Sequence, residues 1–321
     1  LSARVTSGDG VHEFQDLAGR LQLADAELDF DGTLTPAADG SSLALEAQLQ
    51  GEELDTLTRH FGGAPTQVGP YRLAFHALIE AGDVSLSDLA GEIGGRVPLQ
   101  TIQIVGGNVS LRQGDAVAGE IAAERGGVPL SLSFQGGPGQ VGDANTTDWP
   151  LQLAASAAGV TLTADGSVVT PPQGRSRLNL AARLTGDRLD ALGRLLGASL
   201  PPLAPLDLSA RVTSGDGVHE FQDLALRLGA NRLTGALRWD GSAPRALLTG
   251  RLSSERLSLG DAAITPPVRA RPIDLADTPV RVDWLEFLDA RLELAVNTVA
   301  DSPIPVENLN VTLAAVGGTL N

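Results

Sequence analysis

Apolar and polar residues alternate along most of this chain with a period of two, the mark of a β-strand that keeps one face out of water. The runs LALEAQL, from Leu43, and LNLAARL, from Leu178, carry it most cleanly. Leu43, Leu45 and Leu49 fall on one side of the first and Leu178, Leu180 and Leu184 on one side of the second, with Gln48 and Arg183 on the opposite sides. A hairpin follows the second run: Leu208, Ala210 and Val212 share a face, Ser214-Gly215-Asp216-Gly217 turns the chain, and a return strand passes through Phe221, Leu224 and Leu226. Further strands are expected over 151–169 (two of them), 232–239 with Leu233 and Leu237, 245–252, 256–259, 291–296 with Leu292 and Leu294, and 309–313. Residues 21–34 read as two strands around Asp31-Gly32, a strong turn dipeptide. Between Leu73 and Gln135, glycine pairs at Gly82-Asp83, Gly94-Gly95, Gly106-Gly107, Gly114-Asp115 and Gly126-Gly127 recur about every 12 residues, the spacing of an antiparallel meander.

Two stretches break the alternation. Leu189, Leu192, Leu195 and Leu196 recur at helical spacing behind Asp187, a fitting N-cap, until Gly197 stops the turn. Pro201, Pro202 and Pro205 then forbid helix and force an extended re-entry. The same pattern stands 135 positions earlier: Gly51 answers Gly186, Leu54-Asp55 answers Leu189-Asp190, Pro70 answers Pro205, and Asp88-Leu89-Ala90 answers Asp223-Leu224-Ala225. A short helix over 53–61 and a hinge over 62–70 are therefore expected in the first copy. Leu1–Ala18 reproduces Leu208–Ala225 without a change, a third copy of the hairpin that lacks helix and hinge. The implied organisation is the end of a preceding repeat over 1–18, a first repeat over 19–150, a second over 151–290 and the start of a truncated C-terminal segment over 291–321, with 136–149 as the loop between repeats. The fold class is all-β dominated with a few short helices. Its strands should number roughly 18 to 20, each about seven residues or roughly 23 Å long.

Composition narrows the function. The net charge is −16 and every cation is an arginine, so the basic stripe that nucleic acid requires is absent and docking on an anionic membrane surface is disfavoured. There is no cysteine, which excludes disulfides and thiolate chemistry, and no methionine, which with the opening in mid-motif suggests an internal fragment. No run approaches the roughly 20 apolar residues of a membrane span, so any anchor is expected outside these residues. His12, His60, His76 and His219 show no metal-ligand spacing. Ser214–Gly217 lacks the carboxylates of a calcium loop, and the glycine clusters at 91–95 and 136–139 open no helix that would cradle phosphate. Asp29 with Asp31 and Glu52 with Glu53 read as solvated charge rather than a glycosidase pair. No metal, no cofactor and no enzymatic activity are expected.

What stands out instead is the apolar face. A sheet with one oily side must cover it with another sheet, a helix or a ligand, and few helical segments are available. On periodicity alone a dry β-sandwich and an open trough both remain. The segment LDALGRLLGASLPPLAPLDLSARV from Leu189, followed by LALRLGANRLTGALRWDGSAPRALLTGRLSSERLSLGD from Leu224, resembles the bacterial AsmA family. The likeness extends over 178–261, over the first copy at 43–100, and over VDWLEFLDARLELAVNTVADSPIPVENLNVTLAAVGGTL from Val282. That resemblance implies an elongated, twisted antiparallel β-sheet groove, an inner-membrane anchor outside this fragment and a periplasmic location. It also implies kinship with bridge-type lipid transfer proteins, in which phospholipid acyl chains are the bound partner and envelope proteins are possible further partners. The lipid-binding residues expected on this reading are Leu43, Leu45, Leu49, Leu178, Leu180, Leu184, Leu208, Val212, Leu224, Leu226, Leu233, Leu237, Leu292 and Leu294. The rival reading is a structural spacer or assembly factor whose interior is a closed sandwich.

Overall fold

The computed structural model describes residues 2–8, 11–23, 26–35, 41–53, 68–95, 101–112, 117–141, 146–172, 176–187, 205–242, 245–258, 288–301, 306–316 and 319–320. Among these residues there are twenty strands and no helix. The helices expected behind Glu53 and Asp187, and most of both proline hinges, lie outside the described residues.

The strands fall into two compact units. The first holds β1 (Ser2–Gly8), β2 (Val11–Leu23), β3 (Ala26–Thr35), β4 (Ser42–Gly51), β5 (Val68–Glu80), β6 (Asp83–Gly95), β7 (Ile102–Leu111), β8 (Val117–Arg125), β9 (Val128–Gly136), β10 (Gln140–Val141), β11 (Thr147–Ala157) and β12 (Val160–Thr170). The second holds β13 (Arg177–Gly186), β14 (Leu206–Gly215), β15 (Val218–Leu228), β16 (Asn231–Asp240), β17 (Ala246–Ser258), β18 (Leu288–Ala300), β19 (Val306–Val316) and β20 (Thr319–Leu320). In the first unit each strand from β1 to β9 pairs antiparallel with the next, and β11 joins β9, β10 and β12. In the second, β13 to β17 form an antiparallel meander and β18 to β20 continue it. Among the described residues no pairing joins the first strand of either unit to its last, so each sheet is open.

One junction departs from the expected antiparallel order: β17 and β18 run parallel, Leu248 beside Ala290 and Leu252 beside Leu294. A parallel pair needs a long crossover, and the proline-rich residues 259–287 supply the length. The strands are also longer than the seven residues expected. The thirteen residues of β5 correspond to roughly 43 Å. They lengthen because several glycine pairs that read as turns lie inside ladders. Asp31-Gly32 is within β3, Gly106-Gly107 within β7, and Gly94-Gly95 ends β6, while 245–259 is mostly one strand, β17, rather than two. Gly32 is there for closeness: a Cβ would collide with the carbonyl of Ala44 on β4. Four tight turns, Ala81-Gly82, Gly126-Gly127, Ala158-Gly159 and Asp216-Gly217, have both residues at positive φ, as two-residue hairpins of matching twist favour, whereas at Gly229-Ala230 only Gly229 does. Gly114-Asp115 lies outside the described residues.

The repeated Asp-Leu-Ala triplet has one structural meaning in all three copies. Asp16, Asp88 and Asp223 take φ of 51°, 52° and 51°, a left-handed conformation that aspartate tolerates better than most residues. At each, the strand carries one extra residue against its neighbour: β2 against β1 and β3, β6 against β5, and β15 against β14 and β16. Such a bulge bends the strand and adds twist. It also resets the alternation. Phe221 and Leu224 stand three apart yet both lie on the apolar side, because Gln222 and Asp223 are together turned outward; Leu86 and Leu89 repeat the arrangement around Ser87 and Asp88. The neighbouring strand answers with glycine: Leu17 faces Gly32 and Leu224 faces Gly235, whose φ of 156° and closeness to the Arg251 carbonyl leave no room for a side chain.

Little of this is a core in the usual sense. Val296 is the largest fully buried side chain among the described residues, and the one buried cluster is Ala290 and Ala315 with Leu248 and Leu313 packed against it. Each unit is a groove-like single layer, bent at its bulges, with one apolar and one polar side.

Candidate functional site

Residues directly opposite each other in a ladder point to the same side of the sheet, so register traces a face. In the second unit Leu184 faces Leu208, Leu208 faces Leu226 and Leu226 faces Leu233. A parallel row runs from Leu180 through Val212, Phe221, Leu237, Gly250 and Leu292 to Leu313. A third takes in Leu224, Gly235, Leu252, Leu294 and Val311, and Leu178 meets Ser214 at the edge. In the first unit Leu43 lies between Leu34 and Ile79, Leu45 between Gly32 and Ala77, and Leu49 between Leu28 and Leu73. The residues singled out from sequence thus share a single side within each unit.

That side is larger than the alternation of the two clearest runs suggested. It continues from Ile104 through Ala123 and Leu130 to Ala157, from Ile121 through Leu132 and Ala155 to Leu162, and through Phe134 and Leu153 to Ala164. The rings of Phe30 and Phe134 lie over Gly19 and Gly119 across the ladder, which lets them lie flat. The signal for these residues was present in strictly alternating runs such as LSLSF from Leu130, but the glycine pairs between them read as chain reversals.

Most leucines of this side are half-buried, whereas Leu89 and Leu224, at 7 % exposure, and Leu206, at 4 %, are buried. Cross-strand neighbours shelter the flanks of each side chain, whereas a sandwich would also cap it and bury it fully. Toward its edges the side opens further: Leu111 is 49 % exposed and Trp149 46 %.

The opposite side is polar and laced with ion pairs. Arg183 makes two bonds to Asp207, at 3.0 and 2.7 Å, and Arg20 reaches Asp29 at 2.6 Å and Glu27 at 2.7 Å. Arg238 meets Glu220 and Arg251 meets Glu293, each at 2.7 Å. The Arg183 hydrogen bond holds the Asp207 carboxyl below its ordinary range, and that of Arg251 does the same to Glu293. Exposed pairs of this kind contribute little stability each; their effect is to keep this side wet and the other side dry.

A group of titratable side chains lies in a depression of about 460 Å³ whose lining includes Asp29, Asp31, Glu46, His76 and Asp88. His76 Nδ1 is 2.9 Å from Asp88 and its Nε2 is 3.4 Å from Glu46. The hydrogen bond to Asp88 raises the His76 pKa, and His76 in turn lowers that of Asp88. All three groups are exposed, and Asp29 is held by Arg20, so this is a solvated ion cluster rather than a water-excluding acid–base site. Among the described residues no group of three or more His, Asp or Glu side chains could hold a metal. His219 sits at the edge of the apolar side, between Ser214 and Trp239. His60 and the side chain of His12 lie outside the described residues. Ser214 and Gly215 end β14 and Asp216-Gly217 make the hairpin turn, and Gly91–Gly95 is strand. Among the described residues no helix is long and apolar enough to cross a membrane.

No family model matches the chain, and no solved structure matches it. Over 159 residues, 46% of the chain, it is 30% identical to the AsmA family protein YhjG of Escherichia coli (strain K12). The matched stretch covers 22% of that relative's length. With the repeated leucine and glycine pattern and an open, single-layered β-sheet, this likeness supports an AsmA-like relationship for the chain, without pointing to a particular member of that group.

Proposed function

We propose that this chain is a non-enzymatic lipid-binding segment of an AsmA-like protein of the bacterial envelope, and that phospholipid acyl chains cover its apolar side. The observation that carries the reading is the pairing of two facts: register joins the leucines onto one side within each unit, and most of those leucines are only half-buried by protein. Leaving so much aliphatic surface to water is costly, at about 25 cal/mol per Å². A partner with a long apolar body, such as an acyl chain, relieves that cost without needing a specific donor or acceptor. Weak, repeated contact along such a path suits movement of lipid between inner and outer membrane, with a periplasmic setting and an anchor in another part of the protein.

The test is extraction of the purified protein with organic solvent and mass spectrometry of the extract. Stoichiometric phospholipid is expected, and its loss from a Leu180→Asp, Leu237→Asp double variant that retains its β-sheet circular dichroism. A protein that releases no lipid of any kind would be the spacer or assembly factor.

A further inference from the structure

Arg125 is out of place. It closes β8, whose residues on the apolar side are otherwise Val117, Gly119, Ile121 and Ala123, and its own register partners are Ile102 and Val128. Its guanidinium Nε is buried and meets no hydrogen-bond partner. The arginines of the polar side behave differently: Arg20, Arg183, Arg238 and Arg251 each hold a carboxylate at 2.7 Å or less. The adjacent acid, Glu124, offers no such partner, because it faces Gln103 and Pro129 on the other side of the sheet. An arginine at the end of a strand, flanked across the ladder by Ile102 and Val128 and with a buried N–H unused, is suited to an anion that arrives from outside the chain.

Resting on the lipid-binding reading of this side, we infer that Arg125 receives the phosphate of a glycerophospholipid whose acyl chains lie over Ile121, Ala123, Leu130 and Leu132. The chemistry fits at both ends. A guanidinium offers a planar fork of donors that matches two phosphate oxygens, and it does so at the edge of the sheet where a head group stays wet. In a chain of net charge −16, one unpaired cation on the oily side also selects an anionic or phosphate-bearing lipid over a neutral one.

The experiment offers the whole chain dioleoyl-phosphatidylglycerol or dioleoylglycerol in maltoside micelles, with inorganic phosphate alone as a third arm, and quantifies bound lipid by mass spectrometry. The two lipids share their acyl chains and differ in the phosphate. Preference for the phospholipid by roughly tenfold is expected, in keeping with a charge-assisted hydrogen bond. Arg125→Gln should bring that preference close to one while leaving the dioleoylglycerol load unchanged, and Arg125→Lys should keep part of it. Equal loading of the two lipids by the unaltered protein, or a preference that survives Arg125→Gln, overturns the role of Arg125 and leaves the acyl-chain reading intact. Protection of Arg125 by inorganic phosphate without lipid preference reassigns it to free anions and also overturns the inference. Failure to take up either lipid removes both readings together.

Discussion

The hairpins β5–β6 and β14–β15 are the same device built twice, and their differences are informative. Both place a left-handed aspartate at the bulge, Asp88 and Asp223, and both bury the next leucine to the same degree, with Leu89 and Leu224 each at 7 % exposure. Both also set a cation on the preceding strand against that aspartate: His76 lies 2.9 Å from Asp88, and Arg211 lies 3.2 Å from Asp223. His76 and Arg211 are themselves 135 positions apart, so they are equivalent members of the repeat. The bulge, the inward leucine and the outward ion pair are retained, while the cation changes from histidine to arginine and the extra residue of β15 stands against both neighbouring strands where that of β6 stands against β5 alone. Geometry is therefore what the repeat preserves, because the extra residue decides which side every later side chain occupies.

The strongest way to break the comparison is to remove the extra residue. Deleting Asp223 should drive Leu224, Leu226 and Leu228 to the wet side and cost roughly 3–6 kcal/mol, taking Leu224 as a full burial and the others as half. Deleting Asp88 should do the same in the first unit. Urea denaturation gives the number, and an unchanged midpoint in either variant would mean that the bulge does not set the register. Next in size are Leu89→Ala and Leu224→Ala. Each removes a buried side chain from a single layer that can partly close over the gap, so a loss of about 2 kcal/mol is expected for each. Losses that differ by more than about 1 kcal/mol would show that the two hairpins are not energetically equivalent.

The smallest effect separates the two cations. The hydrogen bond to Asp88 raises the His76 pKa, so its contribution is complete below the unfolded value of about 6.5 and is lost as pH rises through the folded one. Asp88 is lowered by the same bond, so its share is present above about 3.9 and is lost as pH falls through its folded value. The thermal midpoint of His76→Gln should therefore fall furthest below that of the unaltered protein between about pH 4 and pH 6.5, and converge with it at alkaline pH. Arginine does not titrate in that range, so Arg211→Gln should show no such convergence. A pH-independent His76→Gln difference would show that the ring acts through packing and not through its charge.

Much of the architecture was legible before any coordinates. Alternation placed Leu43 to Leu49, Leu178 to Leu184 and Leu208 to Val212 in strands, and the Asp216-Gly217 turn lies where its dipeptide indicated. Other turn signals misled for a physical reason. A glycine pair reverses the chain only if the ladder ends there, and at Gly106-Gly107 it continues, leaving Val105 bulged and 62 % exposed. The parallel pairing of β17 with β18 left no local trace, since nothing in either strand encodes the direction of its neighbour. Arg125 was invisible as a candidate because it reads as a polar residue ahead of the glycine turn at 126–127.

Local order along the chain determined which leucines can share a side within each uninterrupted strand. In an extended backbone, side-chain direction depends only on position along the strand, so no neighbour is needed to know it. Only the tertiary structure decided which strands stand side by side, that their oily sides join into one surface within each unit, and that Arg125 ends up between Ile102 and Val128 with its Nε unused. Ladder partners come from elsewhere in the chain, and the hydrogen bonds that continue a ladder outweigh the local preference of a glycine pair to turn.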